Sequence, residues 1–460
     1  MKIMVIGSGG REHAICWTLA KSPSVTEIVC VPGNGGTAAE SKCRNLDPAA
    51  CAYLDGVSGT DIYPAIARHE GCTMAVVGPE DPLAAGVADE LWNAGVPTVG
   101  PKSKGAALEA SKDVAKQFMH AHHVACAASE TFTEAEAARA YIKTHGAPIV
   151  VKADGLAAGK GVVVAATEAD ALNAVDEFMG KETLGAAGKK LVIEEYLQGV
   201  EISVLAAVSV TPESAKAGKA CIVPFVTARD HKRLLDGAKG PNTGGMGAVA
   251  PVSDVTPEQL TAFDERILKP TLAGMIAENM DYRGFIFFGL MLTADGPKLL
   301  EYNVRLGDPE TQAVLPLMDF DFAELCRAIT DGTLKDFQCT WKPGFICAPV
   351  AVSGGYPHTY KKGLPLTVTE KAENTPGVKI FMAGAKTARN DGTEPETSGK
   401  PVTAKKLVTS GGRVLAVSAY GETFEQARRA AYETMAGITF TDMFFRTDIG
   451  LPGAAESGAL

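Results

Sequence analysis

Short apolar runs alternate with amphipathic stretches through the first hundred residues. Residues 3–6 form an apolar run stopped by Gly7, residues 12–21 carry helical spacing, and residues 27–31 are apolar again. The order recurs with a strand at 73–77, a helix at 83–94 and a strand stub at Thr98-Val99. Strands separated by helices predict a parallel sheet whose ligands collect at the carboxyl ends of its strands. Three segments fall at those ends: Gly7-Ser8-Gly9-Gly10-Arg11-Glu12-His13, Pro32-Gly33-Asn34-Gly35-Gly36-Thr37 and Gly78-Pro79-Glu80-Asp81.

A helix over residues 106–122 opens a second section. An apolar strand ending in Lys152 follows, then a Gly-rich loop and strands at 162–165 and 191–195. Residues 285–292 and 298–303 pair across Ala294-Asp295-Gly296, a hairpin pattern. A third section has strands near 348–352, 379–382 and 413–419 and a helix over 423–435. The fold class is therefore α/β, and 460 residues divide into roughly three domains at about 150 residues each. The formal net charge of −10 argues against general electrostatic binding of nucleic acid, and leaves room for local anion pockets. Ten cysteines without a CxxC pair fit reduced thiols better than a disulfide framework. Cys16, Cys30, Cys72, Cys221 and Cys347 sit in apolar segments and read as core. There is no secretory leader pattern and no run of 18 apolar residues, so the expectation is a soluble, cytoplasmic protein that does not engage membranes.

The first Gly-rich turn resembles a dinucleotide fingerprint but fails it. Glu12 stands where a third glycine is required, and Pro32-Gly33-Asn34 replaces the ribose-binding acid. A turn that opens a helix still favours an anion at its free N–H groups; the bland alternative is a plain strand-to-helix turn. The run Lys152-Ala153-Asp154-Gly155-Leu156-Ala157-Ala158-Gly159-Lys160-Gly161 is not a Walker loop either, because three residues separate Gly155 from Gly159 and a strand follows Gly161. Strand, Gly-rich loop and strand describe a hairpin lid whose N–H groups and Lys160 close over phosphates, with Lys152 reaching them as a point charge. After this lid, Glu194-Glu195-Tyr196-Leu197 reads as an adenine slot: Glu194 accepts from the amino group, the main chain at Glu195 and Leu197 meets the ring edge, and Glu201 holds ribose. In Glu301-Tyr302-Asn303-Val304-Arg305, alternate residues share one face of a strand. Glu301 and Asn303 offer the hard oxygens that Mg²⁺ prefers, and Arg305 can stabilise a transferring phosphoryl group. Alternating polar residues on a half-exposed strand is the rival reading.

These three elements in this order resemble the ATP-grasp superfamily. The run Arg305-Leu306-Gly307-Asp308-Pro309-Glu310-Thr311-Gln312 narrows the resemblance to the glycinamide ribonucleotide synthetases. Gly240-Pro241-Asn242-Thr243-Gly244-Gly245-Met246-Gly247-Ala248 and Asp230-His231-Lys232-Arg233 are similar to that family's substrate-side segments. The resemblance implies an N-terminal Rossmann-like domain over 1–105, an ATP-grasp domain over 106–335 with a lid subdomain at about 124–196, and a C-terminal domain over 336–460. It implies ATP and Mg²⁺, with Mn²⁺ as an alternative, and glycine and phosphoribosylamine as substrates of a monomer or dimer. It also implies site roles. Lys116, Lys152, Gly155, Gly159, Lys160, Gly161, Glu194, Glu195, Leu197 and Glu201 would bind nucleotide. Gly9, Gly10, Arg11, Glu12, Glu80, Asp230, Lys232, Arg233, Asn242, Gly244, Gly245, Asp308 and Glu310 would bind substrate. Arg305, Lys160 and Asp308 would be catalytic, and Glu301 and Asn303 would hold metal.

Two departures stand out. Gly289 or a neighbour occupies the place where many ATP-grasp enzymes have another metal-binding carboxylate, and the connection 41–61 is longer than usual. A nearby rival is an ATP-grasp carboxylase or transformylase, separated by its carboxyl substrate; a binding protein without turnover would lack the Glu301–Arg305 strand. His120, His122 and His123 read as an exposed helix end. His13 either caps its turn or touches substrate.

Overall fold

The computed structural model describes residues 1–156, 161–181, 185–388 and 407–454. Its first sheet is fully parallel, in the spatial order Cys43–Asn45, Glu27–Pro32, Lys2–Gly7, Met74–Val77, Thr98–Val99. Strand order reverses on either side of Lys2–Gly7, which opens a crevice above that strand and Met74–Val77. Gly7–Gly10 and Gly78–Glu80 lie there. The long 41–61 connection supplies the edge strand Cys43–Asn45 and three single turns, and it buries Leu54 in the core.

A second, antiparallel sheet of eight strands forms the body. Its order is Gly296–Asn303, Tyr282–Thr293, Val200–Val210, Cys221–Asp230, Gly247–Ala250, Phe345–Val352, Arg413–Gly421, Val378–Met382. The expected hairpin forms one end of it. The three strands expected in the last third of the chain are present, and they continue this same sheet through Gly247–Ala250. The third section thus shares main-chain hydrogen bonds with the second.

A four-stranded antiparallel unit stands apart, in the order Ser129–Phe132, Leu191–Glu195, Ile149–Ala153, Val162–Ala165. Helices Ala135–His145 and Glu168–Val175 cover it, and it has its own core around Ile142, Val151, Val175 and Ile193.

Two expected helices are each broken. The 83–94 helix is Glu80–Ala84 followed by Val87–Asn93, with left-handed Gly86 at φ 85° between them. The 106–122 helix is Ser103–Ala110 followed by Lys112–Ala121. Ser111 is extended there, and its hydroxyl accepts from Val114 N at 3.1 Å, an N-cap that restarts the helix. The second break directs Glu109 and Lys112 toward the site.

Candidate functional site

Two lysines grip one buried carboxylate at the base of the four-stranded unit. Lys152 Nζ lies 2.9 Å from Glu194 Oε1, and Lys116 Nζ lies 3.2 Å from Glu194 Oε2. Lys152 also reaches Leu300 O at 3.4 Å, which ties this unit to the strand carrying Glu301. Burial lowers the pKa of Lys116 despite the Glu194 charge. Lys112 donates to Gly155 O at 2.9 Å; burial lowers its pKa while Glu301 opposes that shift. The loop root is held by Ala153 N on Gly161 O at 2.8 Å and by Asp154, which accepts from Ser111 Oγ at 2.9 Å. Gly159 and Lys160 lie outside the described residues.

The adenine-slot residues are more engaged than the sequence implied. Glu194 is 2% exposed beneath its lysines. Glu195 N donates to Ala128 O at 2.9 Å, so that N–H is not open to a ring edge, and the Glu195 carboxylate pairs with Lys298 at 2.8 Å. Leu197 packs with Ala127 and Met291. Glu201 forms an ion pair with Lys232.

On the hairpin, Glu301 stands opposite Gly289 and Asn303 opposite Phe287. A Cβ at Gly289 would lie 3.3 Å from Glu301 Cγ, so no second carboxylate faces Glu301 from that strand position. Asn303 Nδ2 donates to Glu301 Oε1 at 3.3 Å, and its Oδ1 accepts from Arg305 Nη2 at 3.0 Å. Burial would raise the Glu301 pKa, but Lys232, Lys152 and Lys112 outweigh it and hold the carboxyl below its usual range. Arg305 in turn meets Glu109 at 2.8 Å and Glu80 at 3.3 Å.

The N-terminal turn does present N–H groups to an anion, and the anions there are the protein's own. Gly9 N donates to the Glu12 carboxylate, and Arg11 N donates to Asp308 Oδ2 at 3.1 Å. A Cβ at Gly9 would fall 2.8 Å from Glu12 Oε2. The residue that spoils the dinucleotide fingerprint thus itself accepts the Gly9 N–H. Arg11 also contacts Leu306 O at 3.1 Å and Glu80 at 3.8 Å. Asp308 further meets Gln312 at 2.8 Å and Arg413 at 3.3 Å; burial would raise its pKa, but Arg413 and Arg11 outweigh it and keep it low. His13 does not cap its own turn. It is buried, pairs with Glu40 at 2.9 Å, and accepts from Met382 N at 2.7 Å.

The substrate-side segments divide. A Cβ at Gly245, whose φ is +115°, would lie 2.4 Å from Pro309 Cδ and 2.6 Å from Asp230 Oδ1. That close approach brings Asp230 against Pro309-Glu310. Burial, reinforced by Glu310, raises the Asp230 pKa well above the usual carboxylate range. Glu310 accepts from Ser203 Oγ at 3.2 Å, and its pKa is raised by burial as well. Gly244 donates to Tyr356 Oη at 2.9 Å and accepts from Arg413. Arg233 and Asn242 instead pair on the ribbon Arg233–Leu235/Lys239–Asn242, where Asn242 is exposed. His231 is a core residue. Its Nε2 accepts from Gly450 N at 3.0 Å, and burial lowers its pKa to about 4.

Sequence reasoning missed Glu109, Lys112 and Arg413. The first two were hidden inside an apparently continuous helix. Arg413 comes from a strand about a hundred residues after the motif it touches, with no local pattern to mark it.

A separate lysine-bearing antiparallel unit facing a Glu-x-Asn strand of a larger antiparallel sheet, with an Arg just past the strand end, defines the ATP-grasp class. Solved structures share this fold: a biotin carboxylase from Campylobacter jejuni overlays with a TM-score of 0.67 at 13% identity, covering 96% of this chain and 92% of that one. Phosphoribosylglycinamide synthetase family models match in order, the N domain at residues 1–109, the ATP-grasp (A) domain at 110–311 and the C domain at 346–452. Phosphoribosylamine–glycine ligases from Clostridium acetobutylicum and Allochromatium vinosum are 45% and 43% identical, covering 98% of this chain and 99% and 98% of theirs. The crystal structure of the Thermotoga maritima phosphoribosylamine–glycine ligase matches with a TM-score of 0.75 at 32% identity, covering 98% of this chain and all of that one. The chain belongs to the phosphoribosylglycinamide synthetase family.

Proposed function

We propose that this chain joins glycine to 5-phosphoribosylamine, cleaving ATP to ADP and phosphate and yielding glycinamide ribonucleotide, the second step of de novo purine synthesis. The observation that carries the reading is the Lys152 bridge, which puts the Lys116–Glu194–Lys152 cluster beside the Glu301-Asn303-Arg305 face. A triphosphate laid between them has lysines for its charge and an arginine at the transferring group.

A carboxylate resists attack by an amine because its leaving group would be oxide. Transfer of the γ-phosphoryl group onto glycine's carboxylate makes that oxygen part of a phosphate leaving group, and the amine of phosphoribosylamine then displaces it. Arg305, with Lys160 from the loop, bears the charge that develops during transfer. Glu301 and Asn303 form a small oxygen donor set that would hold Mg²⁺ or Mn²⁺, and the ion would supply positive charge to offset that of the nucleotide phosphates. Among the described residues no cluster of three His, Cys, Asp or Glu could hold a metal by itself. Asp230 and Glu310, with Asp308 nearby, supply the acidic wall for the amino groups of both substrates. All these residues come from one chain, so a monomer suffices. The substrates are small and water-soluble, and no helix among the described residues is long and apolar enough to cross a membrane; we place the reaction in the cytoplasm.

The test is turnover with ¹⁸O-carboxyl glycine. One labelled oxygen should appear in inorganic phosphate and one in the amide at each turnover. Unlabelled phosphate with amide formation would reject the acyl-phosphate route, and label in AMP would mean nucleotidyl transfer.

A further inference from the structure

Arg305 has two carboxylate partners of different character. Glu80 is the outer one: its side chain is 34% exposed, its Oε2 is 3.3 Å from Arg305 Nε, and it opens the short helix Glu80–Ala84 at the rim of the crevice. Glu109 is the inner one, 7% exposed and 2.8 Å from Arg305 Nη2. Its second oxygen accepts from Val304 N at 2.7 Å, so one carboxylate holds both the guanidinium and the backbone just before it.

Glu109 occupies an unfavourable place for an anion. It is the next-to-last residue of helix Ser103–Ala110, where the helix dipole repels negative charge. It is also buried, and burial raises its pKa even against the Arg305 charge. An isolated helix would disfavour a glutamate at this position. Its compensation is the pairing with Arg305 and Val304.

We infer that Glu109 is the positioning residue for Arg305: it anchors the guanidinium from inside, while Glu80 is the exchangeable partner that yields when a phosphoryl group arrives. Without Glu109 the guanidinium would keep the half-exposed Glu80 and the neutral acceptors Asn303 Oδ1 and Leu306 O, but no buried anion to fix its orientation; misplacement by about 1 Å is enough to cost about 10²-fold in rate. The geometry around Asn303 adds a consequence. Arg305 Nη2 also donates to Asn303 Oδ1, so the anchor fixes the position of a donor in the cation-binding set.

This inference rests on the proposed role of Arg305, and a double-mutant cycle separates the two. Turnover is measured by ADP release for Arg305→Ala, Glu109→Gln and the double variant, each with its ATP affinity determined by calorimetry. Arg305→Ala is expected to lower kcat on the order of 10³-fold. Glu109→Gln should lower kcat about 10²-fold with the ATP affinity within about threefold of wild type, and should add nothing in the Arg305→Ala background. If Glu109→Gln does not fold, Glu109→Asp serves: it keeps the charge but retracts the carboxylate by one methylene, and the same non-additivity is expected. Multiplicative losses in the double variant would overturn the anchor and leave Arg305 catalytic. Full turnover by Arg305→Ala would overturn both.

Discussion

The two ionic clusters of the site are built with opposite surpluses. Around Glu194, two lysines share one carboxylate. Around Arg305, two carboxylates share one guanidinium. Both are largely buried, where an uncompensated charge costs several kcal/mol, so the surplus in each reports what the cluster awaits. The lysine cluster has positive charge left over, which suits a nucleotide phosphate. The arginine cluster has two carboxylates to its one guanidinium, which hold the arginine still; the outer one, Glu80, also lies 3.8 Å from Arg11 and is free to exchange. Substrate capture and charge stabilisation in the reaction are thus assigned to clusters of different sign, joined at the Leu300 carbonyl.

The largest effect should come from Glu301→Gln. Glu301 is kept ionised by Lys232, Lys152 and Lys112. Loss of its charge removes an oxygen donor for the cation and leaves those lysines without their shared counter-charge. Turnover should fall on the order of 10³-fold with the circular dichroism spectrum unchanged. ADP release within a few-fold of wild type at limiting Mg²⁺ would break the assignment.

Lys152→Met should act on the other side of the comparison. Glu194 keeps Lys116, so no buried carboxylate is left bare and the fold should survive. ATP binding should weaken about 10²-fold, the usual order for truncating one member of a buried charged set, and kcat should change much less. A variant that binds ATP normally but turns over slowly would show that the two clusters do not divide the work.

The smallest effect supplies a control outside both clusters. His231 is held by two backbone contacts, Nδ1 with Gly247 O and Nε2 with Gly450 N, with its pKa lowered to about 4 by burial, while the unfolded value is near 6.5. The folded protein therefore disfavours the proton that the unfolded chain accepts. Its stabilising contribution is whole above about pH 6.5 and declines as pH falls toward 4, by about 2 kcal/mol at pH 5. Denaturant unfolding of wild type and His231→Gln at pH 7 and pH 5 checks this. Wild type should lose about 2 kcal/mol more than the variant over that interval, and equal losses would refute the buried neutral imidazole.

Local chemistry made much of the molecule readable without coordinates. The parallel sheet followed from period and turn residues, and the hairpin 285–303 from two apolar runs around Asp295-Gly296. Glu301 and Asn303 were legible because strand alternation alone puts them on one face; the strand ends at Asn303, and Arg305 beyond it joins them through its bond to Asn303 Oδ1. Val200–Val210 and Cys221–Asp230 were not legible as strands. The first is buried for most of its length and shows no alternation, and the second carries Pro224 in mid-run, which counts against a strand at the sequence level.

What the sequence determined by itself was therefore the elements whose signal lies within about ten residues: the glycine turns, the strands on either side of the Gly-rich loop and the acid–amide strand. Only the tertiary structure decided their partners. Helical periodicity runs unbroken across Ser111, so nothing local shows that the chain restarts there and turns Glu109 onto Arg305, 196 residues away. Nor does the N-terminal turn reveal that Asp308, from the far side of the chain, accepts from its Arg11 amide. Periodicity records which face of an element is buried; which charge lies opposite depends on how the sheets close on one another.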